Sequence, residues 1–240
     1  MPKKRQHHPA PAPFHIAIDG PVAAGKGTVS RLVAERLGYL YVDTGAMYRA
    51  TALLALNHDT DLQDEEAVAK LVGEADIFMR NPSELEKDGR LTTVLLDGED
   101  VSWKIRTESV SMGASSVARY KDVRRILVEK QQKIAASQDV VMEGRDITYR
   151  VLPEAQLKIY LTANDTVRAR RRHLQLQTKG EDVTFEHVHA ELVTRDKQDI
   201  ERSVDPLQIV SDAWVVDTSD LSIEQAVELI VERVQVLRTI

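Results

Sequence analysis

The chain has 240 residues, of which 42% are hydrophobic and 29% charged, with a formal net charge of −6 and no cysteine. These values predict a soluble globular protein with one α/β domain and insertions, or a domain with a smaller lobe. They argue against a general nucleic-acid binder and exclude disulfides and thiolate zinc sites, and no apolar run approaches the roughly 18 residues of a membrane span.

Residues 1–13 contain Lys3, Lys4 and Arg5 among several prolines, without an apolar core. This composition predicts a disordered basic tail rather than a secretory signal. A weak contact of the tail with nucleic acid or a partner stays an alternative.

A short apolar run at residues 14–18 leads into a glycine-rich turn and then into a predicted helix at residues 29–37. A strand that breaks into such a turn and opens a helix is typical of a phosphate-binding P-loop. The glycines let successive N–H groups converge on one anion, and Lys26 adds a full charge for the outer phosphates. The predicted ATP-binding residues are Gly20, Pro21, Val22, Ala23, Ala24, Gly25, Lys26, Gly27 and Thr28.

Two alternatives concern this loop. A glycine-rich turn that binds nothing would explain the glycines, but not a lysine at the offset that reaches phosphate. The strict motif places a Mg²⁺-ligating hydroxyl directly after the lysine, whereas here Gly27 intervenes. Thr28 is therefore predicted to meet the metal through water or not at all.

Residues 39–42 predict a buried strand, and the helix that follows carries Tyr48 and Arg49. Asp43 and Thr44 then lie at the carboxyl end of a strand, where ligand sites of open parallel sheets collect. A simple helix cap is the alternative interpretation of this pair.

The pattern changes between residues 58 and 105. An acidic helix at 64–75 precedes two alternating segments at 76–79 and 91–96, which are typical of antiparallel hairpin strands. We predict an inserted lobe at 58–105 that interrupts a core made of residues 14–57 and 106–240.

The rest of the chain alternates between strands and helices, which predicts a parallel sheet with helices on both faces. Helices are predicted at 107–118, 122–137, 164–178, 185–203 and 222–237, and strands at 140–142, 158–161 and 214–216. The seven histidines form no pattern that is typical of a zinc site.

Charged residues cluster in two of these segments. Glu143-Gly-Arg-Asp146 follows a strand and indicates either a ligand site or a tight solvated turn. The chain's acidity and the P-loop favour arginines that close over a polyphosphate in the helix at 164–178, with residues 180–184 as a hinge; a solvated face or an RNA patch is the alternative. The arginines of this helix are Arg168, Arg170, Arg171 and Arg172.

A third group, Arg195, Asp199 and Arg202, shares one face of a predicted helix. Ion pairing within the helix would explain these charges without excluding a site. Arginines dispersed over several segments suit an acceptor that itself carries phosphate, beside a P-loop that binds an ATP-like donor. The pattern therefore indicates a nucleotide acceptor.

Taken together, these motifs resemble those of the bacterial-type cytidylate kinases, a family of P-loop nucleoside monophosphate kinases. The similarity covers about residues 14–237. It is carried by residues 18–28, 43–49, 98–106 and 143–146 and by Arg195-Asp196, Asp199 and Arg202. The resemblance implies a P-loop NTPase-type sheet, an acceptor lobe with a small antiparallel sheet, and a mobile helical lid.

The resemblance also implies roles for individual residues. The cytosine edge would be read by Ser115, Arg124 and Asp146. The acceptor phosphate would be held by Arg49, Arg145 and Arg202, and the sugar by Arg195 and Asp199, with Thr44 and Tyr48 nearby. The transferring group would be stabilised by Lys26, Arg168 and Arg171.

Three features depart from the family pattern. Glu143 stands where the family commonly has Asp, Thr44 where it has Ser, and residues 148–151 where it has Gly-Thr-Val-Val. The longer Glu143 and the bulky Tyr149 and Arg150 are expected to reshape the pocket or its tolerance for deoxy acceptors.

The sequence thus predicts a monomeric cytoplasmic enzyme that transfers phosphate from ATP, with Mg²⁺, to CMP or dCMP. A kinase for another acceptor such as UMP is the main alternative. A P-loop switch or nucleotide sensor is a further one, although the chain has no Asn-Lys-x-Asp sequence for guanine.

Overall fold

A computed structural model describes residues 12–86, 88–178 and 180–239. Apart from its last two residues, the predicted basic tail lies outside these ranges. Among the residues described, no helix is long and apolar enough to cross a membrane.

Strands of the described residues form two sheets. In chain order they are β1 His15–Asp19, β2 Leu40–Asp43, β3 Ile77–Arg80, β4 Thr93–Leu96, β5 Glu99–Asp100, β6 Val140–Gly144, β7 Leu157–Thr162 and β8 Trp214–Asp217. The main sheet is parallel with the spatial order β2-β6-β1-β7-β8, and β3, β4 and β5 form a small antiparallel sheet. Both predicted sheets are confirmed.

The helices cover the parallel sheet on both faces. They are α1 Lys26–Leu37, α2 Thr44–Asn57, α3 Glu65–Glu74, α4 Glu108–Val117, α5 Lys121–Ala135, α6 Asp165–Thr178, α7 Phe185–Glu201 and α8 Ile223–Thr239. The predicted cap before α8 is present, because the Ser222 and Gln225 side chains each accept a hydrogen bond from the other residue's backbone N–H.

Side-chain alternation along β1 explains why helices are needed on both faces. Ala17 packs into an apolar cluster with α2, α4 and α5, whereas Ile16 and Ile18 pack into a second cluster with α1 and α8. Successive side chains of a strand point to opposite faces. All three residues have no exposed surface, so this central strand is buried on both sides.

In the small sheet, β3 has the predicted four residues but begins one position later, whereas β4 has four residues instead of the predicted six. Asp97 and Gly98 connect β4 to β5 with φ angles of 50° and 84°, which a tight hairpin turn between twisted strands requires. Trp103 follows the sheet, half-exposed, and its Nε1 donates to Asp88 Oδ2 at 2.9 Å.

One element is absent from the sequence predictions. Residues Ile147–Val151 form a π-helical turn directly after Asp146. The buried Asp19 carboxylate accepts hydrogen bonds from Ile147 N at 2.9 Å and from Thr148 N at 2.8 Å. Asp19 thereby ties the end of β1 to the segment that follows β6. Because Glu143 and Gly144 belong to β6 and Asp146 is 6% exposed, the alternative of a tight solvated turn at residues 143–146 is wrong.

Candidate active site

The glycine-rich loop lies between β1 and α1, as the sequence predicts. A Cβ on Gly20 would lie 2.0 Å from the Leu161 carbonyl oxygen, so only glycine lets the loop pass this close to β7. Gly25 has a φ of 91°, a left-handed conformation that glycine adopts without strain. These two glycines set the path of the loop into the start of α1.

Lys26 begins α1 and is buried, with Nζ donating to the carbonyl oxygens of Gly20 and Pro21 at 2.9 Å each. Burial, and secondly the charge of Arg145, lower the pKa of Lys26 to about 7, while Glu143 opposes the shift. An anion at this point would offset the cost of burying the ammonium group, which makes the loop a strong phosphate site.

Behind the loop, Arg168 of α6 and Asp196 of α7 hold both backbone groups of Val22. Val22 N donates to Asp196 Oδ1 at 3.2 Å, and Arg168 Nη1 donates to the Val22 carbonyl oxygen at 3.1 Å and to Asp196 Oδ2 at 2.5 Å. Arg168 is 7% exposed and also donates to the Ala163 carbonyl oxygen at 2.9 Å. The sequence missed this contact of Asp196 and placed Arg168 at the donor phosphates.

In front of the loop lies a cavity of about 900 Å³. It brings together all of the predicted site residues except Gly20, Pro21 and Arg168. At the donor end it is lined by the loop and by Arg171, whose Nη2 donates to the Thr218 carbonyl oxygen at 2.6 Å. The predicted acceptor residues that line it are Thr44, Tyr48, Arg49, Ser115, Arg124, Arg145, Asp146, Arg195, Asp199 and Arg202.

The acceptor end of the cavity contains a buried ion pair between Arg124 of α5 and Asp146. Burial raises the pKa of the Asp146 carboxyl group, and the charge of Arg124 opposes the shift. The Arg124 guanidinium lies 5.7 Å from the centre of the Tyr48 ring. Ser115 lines the same end from α4, and its hydroxyl donates to the Ser111 carbonyl oxygen at 3.4 Å.

Two arginines between the ends of the cavity are paired with carboxylates. Arg49 Nη2 donates to Asp43 Oδ2 at 2.6 Å, and Arg145 Nε donates to Asp199 Oδ2 at 2.6 Å. Asp43 also accepts from Ala46 N at 3.2 Å, so the cap interpretation of Asp43 and its place beside the cavity are both correct. Thr44 Oγ1 donates to the Glu143 carbonyl oxygen at 2.8 Å.

Two further arginines of the cavity wall, Arg106 and Arg195, form no salt bridge with any other residue that the structure describes. The pKa of Arg106 is lowered first by burial and then by the nearby charge of Arg49. The pKa of Arg195 is lowered first by burial and then by the charge of Arg145. Arginine groups with lowered pKa values are favourable places for an added anion. Arg106 lies in one of the motifs that carry the family resemblance, but no individual role was predicted for it.

Glu143 is the second-last residue of β6 and lies beside the phosphate loop. Its Oε1 accepts a hydrogen bond from the Tyr41 hydroxyl at 3.2 Å, and a Cβ on Gly27 would lie 3.4 Å from the same oxygen. Burial and the neighbouring Asp43 raise the pKa of the Glu143 carboxyl group, and Lys26 opposes the shift. A Cβ at position 27 would therefore be in ordinary van der Waals contact with Glu143, which places this carboxyl group directly against the phosphate loop.

A family model described as cytidylate kinase matches residues 16–236. The chain belongs to the cytidylate kinase family. It is 44% identical over 219 residues to the cytidylate kinase of Caldicellulosiruptor bescii, covering 91% of this chain and 94% of that one. It is also 44% identical over 220 residues to the cytidylate kinase of Bacillus subtilis, covering 92% of this chain and 96% of the relative.

The fold of this member of the cytidylate kinase family is also found in a solved structure of much lower sequence identity. An uncharacterized protein from Eubacterium ventriosum aligns over 93% of this chain and 98% of its own, with a TM-score of 0.50 and 11% identity. At this identity the likeness concerns the fold alone.

Proposed function

We propose that the protein transfers the terminal phosphoryl group of ATP to CMP or dCMP, giving ADP and CDP or dCDP. The observation that carries this proposal is one continuous cavity with a phosphate loop at one end and the buried Arg124–Asp146 pair at the other. Arginines line the space between them, where two phosphate-bearing ligands would meet.

ATP takes the donor end in this proposal. The backbone N–H groups of the loop and the Lys26 ammonium group bind its phosphates, and Arg171 lines the same end of the cavity. Because Arg168 is held behind the loop, we assign it to supporting the loop rather than to contacting phosphate.

Cytosine takes the acceptor end. The Asp146 carboxylate accepts a hydrogen bond from the exocyclic amine, Arg124 donates to the ring oxygen and nitrogen, and the Ser115 hydroxyl adds a further polar contact. Uracil has a carbonyl group where cytosine has the amine, so it would meet the carboxylate without a hydrogen to donate. Selection between the two bases therefore depends on Asp146.

The acceptor phosphate lies among Arg49, Arg145 and Arg202, and we add Arg106 to this set. Arg195 and Asp199 contact the sugar, with Thr44 and Tyr48 beside it. Arginine binds phosphate through two parallel N–H donors, which fixes the direction of the phosphate as well as its position.

The transfer needs no general base, because an acceptor phosphate oxygen is already an anionic nucleophile. This oxygen forms a bond to the γ-phosphorus while the bond to the β–γ bridging oxygen breaks, and ADP leaves with the electron pair. Lys26 and the arginines neutralise the charge of the transferring group and hold the two oxygens in line.

Mg²⁺ is part of the proposal as well. The Asp43 and Glu143 carboxylates and the Thr28 hydroxyl line the cavity beside Lys26, and these are the oxygen groups that Mg²⁺ prefers. The described residues contain no cluster of three or more His, Cys, Asp or Glu side chains for a metal. Mg²⁺ commonly uses one or two carboxylates with waters and phosphates, so these residues fit it, with Thr28 acting through water. Bound there, it would neutralise charge on the donor phosphates.

We further propose that residues 58–105 form an acceptor lobe and residues 164–184 a lid. Leu91 of the former and Arg171 and Arg172 of the latter line the cavity. We propose that the enzyme acts as a monomer, because residues of a single chain line both ends of the cavity. We place the enzyme in the cytoplasm, where its nucleotide substrates are made and used.

A coupled ADP-release assay tests this function. Pure protein is given ATP and Mg²⁺ with CMP, dCMP, UMP, AMP or GMP in parallel, and we expect CMP and dCMP to be clearly preferred. Preference for UMP or a purine would replace the acceptor but retain the kinase. ATP binding without transfer to any acceptor would favour the switch or sensor instead.

A further inference from the structure

Asp205 lies behind the acceptor end of the cavity, in the segment between α7 and β8. Its backbone has a φ of 47°, a left-handed conformation that is uncommon outside glycine but tolerated by aspartate. The side chain is 18% exposed and accepts a hydrogen bond from Arg124 Nε at 2.8 Å. This buried contact joins Asp205 to the residue assigned to the cytosine edge.

Other acceptor-site elements meet Asp205 or its neighbour. Arg202 Nε donates to the Asp205 carbonyl oxygen at 2.6 Å, and Arg150 Nε lies 3.6 Å from Asp205 Oδ1. The Tyr149 hydroxyl donates to the Pro206 carbonyl oxygen at 2.6 Å. The helix carrying Arg124, the end of α7 and the π-helical turn after Asp146 are therefore joined at residues 205 and 206.

The contacts of Arg124 fix the plane of its guanidinium group. Nε donates to Asp205, Nη1 donates to the Ala118 carbonyl oxygen at 3.2 Å, and Nη2 donates to Asp146. Of the two carboxylates, Asp146 lines the cavity and accepts from Nη2, whereas Asp205 lies outside the cavity wall and accepts from Nε. Without the Asp205 carboxylate, a 2% exposed cation would lose one of its two negative partners and could rotate.

We infer that Asp205 is a positioning residue of the acceptor site, which orients Arg124 through its side chain and Arg202 through its backbone. The inference rests on the proposed function, because it concerns the selection of cytosine. Asp205 itself does not line the cavity and acts through these arginines. Two of the unusual residues of this chain, Tyr149 and Arg150, support the same segment.

The test compares Asp205→Asn and Asp205→Ala with wild type and with Asp212→Asn. Asp212 is a matched control, because it lies on the same segment and its side chain is 61% exposed. Its Oδ2 pairs with Lys158 Nζ at the surface, 2.7 Å away. KM for CMP, KM for ATP, kcat, the ratio of CMP to UMP turnover and the melting temperature are measured for each protein.

We expect Asp205→Asn to raise the KM for CMP on the order of tenfold, with Asp205→Ala more severe, since asparagine keeps an acceptor for Nε but loses the charge. The KM for ATP should stay within about twofold of wild type, and the preference for CMP over UMP should narrow. Asp212→Asn should behave as wild type.

A purely structural role would lower stability and change both KM values together, and that result would overturn the inference. An unchanged KM for CMP in the folded Asp205→Asn protein would overturn it as well. If wild type prefers another nucleoside monophosphate, the proposed function fails separately, and the same variants are compared on that acceptor.

Discussion

Replacing Asp196 with alanine removes the negative partner of a buried cation behind the phosphate loop. Arg168 then keeps only the carbonyl oxygens of Val22 and Ala163, and Val22 N loses its acceptor. The Asp196 and Arg168 side chains are 13% and 8% exposed, so water replaces the lost partner poorly.

Breaking a buried ion pair by removing one partner costs about 3–5 kcal/mol. The two carbonyl contacts that Arg168 retains favour the lower end of this range. For a protein of this size, about 3 kcal/mol corresponds to a fall in melting temperature of about 6–12 °C. The loop also loses the contact that holds Val22, so we expect the KM for ATP to rise while the KM for CMP changes little.

A double-mutant cycle separates the ion pair from the packing of the two side chains. Asp196→Ala, Arg168→Met and the double variant are unfolded in urea, and ATP kinetics are measured for each. The double variant buries no unpaired charge, so it should be more stable than the two single effects predict, by at least about 1 kcal/mol.

The control is Glu201→Ala on the same helix. Glu201 is 64% exposed and lies 4.0 Å from Lys197, so its removal should change stability by less than about 0.5 kcal/mol. Additive effects within about 0.5 kcal/mol in the cycle, together with an unchanged KM for ATP, would refute the role of the pair.

Three further variants test other parts of the site. Lys26→Met should lower kcat by about 100-fold or more while CMP still binds in a calorimetric titration. The pKa of Lys26 is lowered to about 7, and a bound phosphate would raise it again. Near pH 8.5, ATP binding should therefore take up about one proton in wild type but not in the Lys26→Met protein. Calorimetry in two buffers of different ionisation enthalpy would measure this uptake. Arg145→Ala should raise the KM for CMP by about tenfold or more, with retained melting temperature as the control; an unchanged KM would contradict its assignment to the phosphate. Burial raises the pKa of Asp19 from 3.8 to about 6, so between these values the folded state binds more protons than the unfolded state. The contribution of Asp19 to the free energy of unfolding should therefore fall by about 3 kcal/mol as pH rises from about 4 to 6, and stay constant above pH 6. Asp19→Asn should remove this part of the pH dependence in urea unfolding, and an unaltered pH profile would count against it.

The sheet and the phosphate loop could be predicted because their signals are local. An apolar run that ends in glycines and a lysine needs only neighbouring residues to be recognised, and Gly20 and Gly25 adopt the backbone that this pattern requires. Most of the residues predicted around the cavity also line it, because the carboxyl ends of parallel strands lie at one edge of the sheet.

The position of Arg168 could not be predicted, because it depends on packing between helices. In the sequence Arg168 is one of four clustered arginines, and nothing in their spacing distinguishes the buried one from those that line the cavity. Its partner Asp196 is 28 positions further on. Asp205 was missed for the same reason, since it contacts Arg124 across 81 positions and stands in a segment without regular structure.

The two tryptophans of the chain lie in different parts of the fold, and this gives the enzyme its own optical reporters. Trp103 is half-exposed after the small sheet, three positions before Arg106, whereas Trp214 begins β8 in the main sheet. Indole emission changes with the polarity around the ring. A Trp214→Phe protein would therefore carry a single indole, three positions before the cavity residue Arg106, and nucleotide titrations could be followed there without a label.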